Sequence, residues 1–220
     1  MSPETPVRGV VWDCDGTVVD SEPIAIEIWT ELLRDLGCDP TDDDWEVLVG
    51  RPFEAFHDYF SQRCKLPPIE ALMDRFAARV YPVFRSQLRA FDDAVRAIEL
   101  LAERDVPMAI ATSSHRERLD LMLDVVGLTD RFAATVAGNE VAAGKPAPDI
   151  YEAAAAKLGA EPGNCLAVED TGPGIRAAAA AGMHVVGVDR GARAASQLVA
   201  ADTVVGELDG VHLWDLIQEQ

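Results

Sequence analysis

Short apolar runs that end in polar clusters alternate along this chain with stretches whose apolar residues recur every three or four positions. The first run, VRGVVW (residues 7–12), is β-rich and stops at Asp13, Cys14, Asp15, Gly16 and Thr17, the pattern of a buried parallel strand. The segment IAIEIWTELLRDLG then sets Ile24, Ile28, Leu32 and Leu36 four apart, with Ala25, Trp29 and Leu33 beside them. That spacing predicts an amphipathic helix stopped at Gly37, with Asp20 or Ser21 as N-cap and Pro23 in its first turn. Residues 41–90 show no convincing strand. They carry Phe53, Phe56 and Phe60 at helical spacing, then a helical tract from about Ile69 to Leu88, which predicts a small helical module with an aromatic core.

From Phe91 onward helix and strand patterns alternate. AVRAIELLAERD leads to VPMAIATSS, RERLDLMLDVVGL to FAATVAG, DIYEAAAAKLG to NCLAVED, and GIRAAAAAG to MHVVGVD; a weak strand DTVV and a helix VHLWDLIQ close the chain. Gly127, Gly159 and Gly182 fall just past predicted helices, where C-cap glycines belong. Repeated units of this size predict an α/β fold, a doubly wound parallel sheet covered by helices on both faces. The helical block is then an insertion after the first strand, so that residues 1–19 and 91–220 form the core and residues 20–90 the inserted module.

Length and composition narrow the possibilities. The chain of 220 residues can bury one good core with a small module beside it, and its 49% hydrophobic content fits a folded protein. No apolar run approaches the roughly 20 residues that span a bilayer, and Met1 to Pro6 lacks a signal-peptide pattern, so a cytoplasmic protein with no membrane partner is expected, and a monomer is taken as its expected state. Cys14, Cys38, Cys64 and Cys165 include no CxxC pair, which predicts reduced thiols. A formal charge of −19, from 38 acidic and 19 basic residues, argues against nucleic acid or an anionic membrane surface. An anionic small molecule would need a local reversal of sign from a metal, a lysine or helix N-terminal amides. Lysines are scarce: Lys65, Lys145 and Lys157.

In doubly wound sheets ligands bind beyond the carboxyl ends of the strands. There the sequence places Asp13 and Asp15, then Thr112, Ser113 and Ser114, then Lys145 in GKPAPD, then Glu169 and Asp170. Each group has a plainer alternative: a turn around Gly16, a capping box from Thr112–Ser114 to Glu117, a solvated loop lysine, or acids placed on a helix dipole. Together they form a consistent set for phosphoryl transfer. Hard carboxylate oxygens suit Mg²⁺, Lys145 can neutralise a carboxylate and a phosphoryl group, and Thr112 with the amides of Ser113 and Ser114 can hold phosphate oxygens.

DCDGTVVDSE, IATSS, GKPAPD and VEDTGPGI resemble, in order and spacing, the four signature motifs of the haloacid dehalogenase superfamily. With its helical insertion the whole chain is similar to the branch containing β-phosphoglucomutase and many small-molecule phosphatases. The resemblance implies a Rossmann-like core with a helical cap and a Mg²⁺-dependent phosphatase acting on a small phosphorylated metabolite, such as a sugar phosphate. It implies further that Asp13 becomes an aspartyl phosphate and Asp15 serves as acid and then base. Asp13, the carbonyl of Asp15 and Asp170 would bind the metal with Glu169 close by, and Thr112, Ser113 and Lys145 would hold phosphate. The alternative is a phosphomutase; the histidine that assists β-phosphoglucomutase on its first cap helix is replaced here by Ala25. VGRPF stands in the place of the cap's specificity loop, so Arg51 is a candidate substrate contact, or else a surface arginine before a helix. Rival readings are a catalytically silent binding protein and a dinucleotide site, because GPGIRA with Asp189 after the next strand imitates the G-x-G-x-x-A fingerprint.

Overall fold

A computed structural model describes residues 8–48, 53–191 and 197–219. The chain forms two compact units, Met1–Asp20 with Arg89–Gln220, and Ser21–Leu88.

The Ser21–Leu88 unit is helical. It contains α1 (Glu22–Asp35), α2 (Asp42–Leu48), α3 (Phe53–Ser61) and α4 (Ile69–Gln87). Ser21 is the N-cap residue of α1 and Pro23 stands in its first turn, where a missing N–H costs nothing. The aromatic stripe turns inward as its spacing predicts: Trp29 stacks on Phe76 at 4.0 Å between ring centroids and meets Phe56 at 4.7 Å, and Phe56 meets Phe60 at 5.0 Å. Asp44 ties the unit together through Tyr59 Oη (2.5 Å), Arg63 Nη1 (2.7 Å) and the Thr41 amide (2.8 Å). Cys38 and Cys64, with Cα atoms 5.6 Å apart, are joined as a disulfide, which corrects the expectation of four reduced thiols. The pair escapes detection in the sequence because packing of α1 and α3 brings together residues 26 positions apart. Cys14 and Cys165 are free and buried.

The other unit is built on six parallel strands, β1 (Gly9–Trp12), β2 (Met108–Thr112), β3 (Ala134–Ala137), β4 (Cys165–Glu169), β5 (His184–Val188) and β6 (Thr203–Val205), in the order β3-β2-β1-β4-β5-β6. Its helices are α5 (Asp92–Glu103), α6 (Arg116–Val126), α7 (Asp149–Leu158), α8 (Gly172–Ala180) and α9 (Gly210–Glu219). Val10, Val11 and Trp12 have no exposed surface, as befits a central strand covered on both faces. Trp12, the last residue of β1, pairs with Ile110 on one side and Val168 on the other, so β2 runs two residues and β4 one residue past the end of β1. The strand order reverses at β1, so the residues after it occupy the crevice where doubly wound sheets bind ligands.

Between β1 and the helical segment the chain folds into a tight flap. Val19 bridges antiparallel to Ala90, Phe91 N donates to Val18 O (3.0 Å) and Asp20 N donates to Arg89 O (3.0 Å). Arg190, after β5, buttresses this ribbon: it pairs with Asp93 (2.7 Å), donates to Thr17 O (2.9 Å) and lies over the Phe91 ring.

Candidate active site

Asp13 is the first residue past β1, and its amide extends the ladder by donating to Val168 O (2.9 Å). Its carboxylate meets Lys145 from the loop after β3. The ammonium of Lys145 donates to Asp13 Oδ1 (2.5 Å), Glu169 Oε1 (2.6 Å) and Ala111 O (3.0 Å), so its three protons have three acceptors. Glu169 Oε1 also accepts from the Tyr151 hydroxyl (3.0 Å), and Oε2 accepts from the amide and hydroxyl of Thr171, each at 2.8 Å. Asp170 Oδ1 accepts from Thr17 Oγ1 (3.1 Å). Asp13, Lys145, Glu169 and Asp170 are all buried, which rules out a solvated loop lysine and surface acids complementing a helix dipole.

Burial on this scale sets the protonation tendencies. It pushes the Asp13 carboxyl well above the ordinary value; Lys145 opposes the rise, while Glu169 and Asp170 add to it. Burial acts against the Lys145 ammonium as well, but Asp13 and Glu169 outweigh it and hold that group firmly charged. For Glu169 the cost of burial is overcome by Lys145 and by the Thr171 hydrogen bonds, so its pKa is lowered. Cys14 lies between the two aspartates, yet burial drives its thiol well above the usual range and leaves it inert.

Ligand oxygens from Asp13, Glu169 and Asp170 lie within 4.8 Å of one another. An all-oxygen, largely anionic donor set fits a hard divalent cation. Two glycines make the packing possible. A Cβ at Gly16, where φ is +83°, would collide with the Asp170 carboxylate, and one at Gly174 would collide with that of Glu169.

The Asp15 carboxylate is not in this cluster. Its Oδ1 pairs with Arg118 Nη2 from α6 (2.6 Å), and its Oδ2 accepts from Ser114 Oγ (2.8 Å) and Thr112 Oγ1 (3.3 Å). The Ser114 amide is engaged by Thr112 Oγ1 (3.0 Å), and Ser113 is exposed. The capping-box alternative for Thr112–Ser114 is corrected: α6 begins after His115, without a side-chain cap. Arg51 lies outside the described residues. Sequence reasoning missed Thr17, Arg118, Tyr151 and Thr171 as supports of the acidic residues. Tyr151, a lone aromatic in the alanine-rich DIYEAAAAKL and placed just after the lysine loop, was the available signal.

The dinucleotide alternative fails on the same geometry. The small face of Gly174, which would have to admit a pyrophosphate, is covered by the Glu169 side chain. The α8 N-terminus is capped internally, with the Gly174 amide donating to Thr171 Oγ1 (3.0 Å).

A family model for haloacid dehalogenase-like hydrolases matches residues 7–182. The chain belongs to this family. As a haloacid dehalogenase-like hydrolase it is an enzyme, and its relatives include phosphatases. It is 31% identical to the fructose-1-phosphate phosphatase of Escherichia coli over 193 residues, covering 82% of this chain and 95% of that one. It is also 31% identical to the bifunctional riboflavin kinase/FMN phosphatase of Arabidopsis thaliana, matching 94% of its own length but spanning only 55% of that longer protein. A crystal structure of a haloacid dehalogenase family hydrolase from Deinococcus radiodurans, with bound phosphate and sodium, superposes with a TM-score of 0.74 at 28% identity, covering 98% of this chain and 97% of that one.

Proposed function

We propose that this hydrolase is a Mg²⁺-dependent phosphatase of small phosphate monoesters, sugar phosphates or similar metabolites, acting through an aspartyl phosphate on Asp13. The observation that carries the reading is the separation of the two aspartates: Asp13 lies in the cation cluster against Lys145, whereas Asp15 is held apart by Arg118, Ser114 and Thr112. Mg²⁺ on Asp13 and Asp170, with Glu169 close by and the Asp15 carbonyl available, would offset the charge of the phosphoryl oxygens. A carboxylate oxygen of Asp13 forms a bond to phosphorus as the bond to the ester oxygen breaks, and Asp15 gives its proton to the departing alkoxide. Asp15 then takes a proton from water as the water oxygen attacks phosphorus, which releases phosphate and restores Asp13. Lys145 and the hydroxyls of Thr112 and Ser113 are assigned to the phosphoryl oxygens, and the helical unit Ser21–Leu88 is assigned the role of a cap that selects the leaving group.

The test is phosphate release from p-nitrophenyl phosphate and from a panel of sugar phosphates. Activity is expected with Mg²⁺ and not with EDTA, and Asp13→Asn is expected to remove it while the circular dichroism spectrum is kept. Turnover that survives either change would overturn the reading. The proposal includes a cytoplasmic monomer, which light scattering and cell fractionation would check.

A further inference from the structure

We infer that Arg118 is the positioning residue for the proton-transferring carboxylate, holding Asp15 out of the cation cluster. The inference rests on the acid–base role proposed for Asp15. Asp13 and Asp15 stand two residues apart at the end of one strand, and either carboxylate would be drawn to a divalent cation among three acids. Asp13 is matched by Lys145; Asp15 is matched by Arg118, in the first turn of α6. The Arg118–Asp15 pair is a short charge-assisted hydrogen bond, 2.6 Å, between half-buried side chains. Ser114 and Thr112 hold the other oxygen. Asp15 is therefore held at both oxygens, by Arg118 on one and by Ser114 and Thr112 on the other. Arg116, two residues earlier, is directed elsewhere, to Glu140 and Asp120, so the role falls to one of the two neighbouring arginines.

The experiment is a double-mutant cycle on kcat and KM for p-nitrophenyl phosphate and a hexose phosphate, using Asp15→Asn, Arg118→Ala, Arg118→Lys and the combination of Asp15→Asn with Arg118→Ala. Arg118→Ala is expected to lower kcat by about 10- to 100-fold, with KM and the Mg²⁺ half-saturation unchanged within about twofold; Arg118→Lys keeps the charge but not the fork and recovers part of the loss. For kcat/KM the loss is expected to be smaller with p-nitrophenyl phosphate, whose leaving group departs without a proton. In the Asp15→Asn background Arg118→Ala should cost less than about twofold more, since a residue acting through another loses its effect when that other is gone. Wild-type kcat in Arg118→Ala, a full additional loss on top of Asp15→Asn, or a shifted Mg²⁺ requirement would overturn the inference. Wild-type activity in Asp15→Asn would instead overturn the acid–base reading beneath it. If Arg118→Ala does not fold, Arg118→Lys carries the same comparison, and a kcat equal to wild type in it would count against the fork.

Discussion

Glu169 has no exposed surface and is hydrogen-bonded by Lys145, Tyr151 and Thr171. A buried carboxylate is tolerable only when paired and bonded in this way. A Cβ at Gly174 would collide with this carboxylate, so Gly174→Ala is expected to displace it, to cost about 1–3 kcal/mol of stability through overpacking and to weaken divalent-cation binding. Thermal unfolding with and without Mg²⁺ reads both effects: a lower midpoint and a smaller rise on adding the ion. At this scale Asp13, Asp15, Lys145, Glu169 and Asp170 were legible because polar residues clustered where apolar runs stopped. Arg118 was not, since 103 residues separate it from Asp15 and a helical arginine reads as a surface charge until the fold brings the two together. Thr17 was hidden for a similar reason: its hydroxyl looked like part of a turn, while its partner Asp170 lies 153 residues away.

At the scale of elements, the strands and helices after Phe91 follow their hydrophobic periods closely, because a central parallel sheet demands continuous apolar runs and its helices demand one apolar face. The helix predicted from RERLDLMLDVVGL begins at Arg116 as read, but what precedes it was not legible: Thr112 and Ser114 turn to Asp15 instead of capping α6, a tertiary preference absent from local sequence. In the helical unit Asp44, in the acidic first turn of α2, reaches back to Thr41 and across to Tyr59 and Arg63. Burial pushes the Asp44 carboxyl up, but hydrogen bonds from Arg63, Tyr59 and Thr41 prevail and hold it well below the ordinary range. A pKa lowered on folding gives stability that is present at neutral pH and is lost as pH falls below about 4 toward the folded value. Asp44→Asn is therefore expected to cost about 1–2 kcal/mol at pH 7 and to lose less stability than wild type on acidification below pH ~4, as urea unfolding at a series of pH values would show.

For the molecule as a whole, the disulfide and the ribbon carry consequences that composition could not supply. Titration of the denatured chain is expected to find two thiols, Cys14 and Cys165, without reductant, and four with it. Reduction should lower the stability of the Ser21–Leu88 unit by up to about 3.5 kcal/mol, the chain-entropy value for a closed loop of this separation. An unchanged melting temperature in dithiothreitol would show that packing of the aromatic cluster alone sustains the unit. The pairing of Asp20 with Arg89 has a different kind of consequence. The polypeptide leaves the sheet-bearing unit and re-enters it one hydrogen bond apart, so the whole intervening length is, topologically, a loop between neighbouring residues. A lineage or an engineer can lengthen, shorten or exchange that loop without shifting the register of any strand. On the proposed function, the carboxylates assigned to the reaction and the unit assigned to substrate choice are thereby free to evolve on separate schedules.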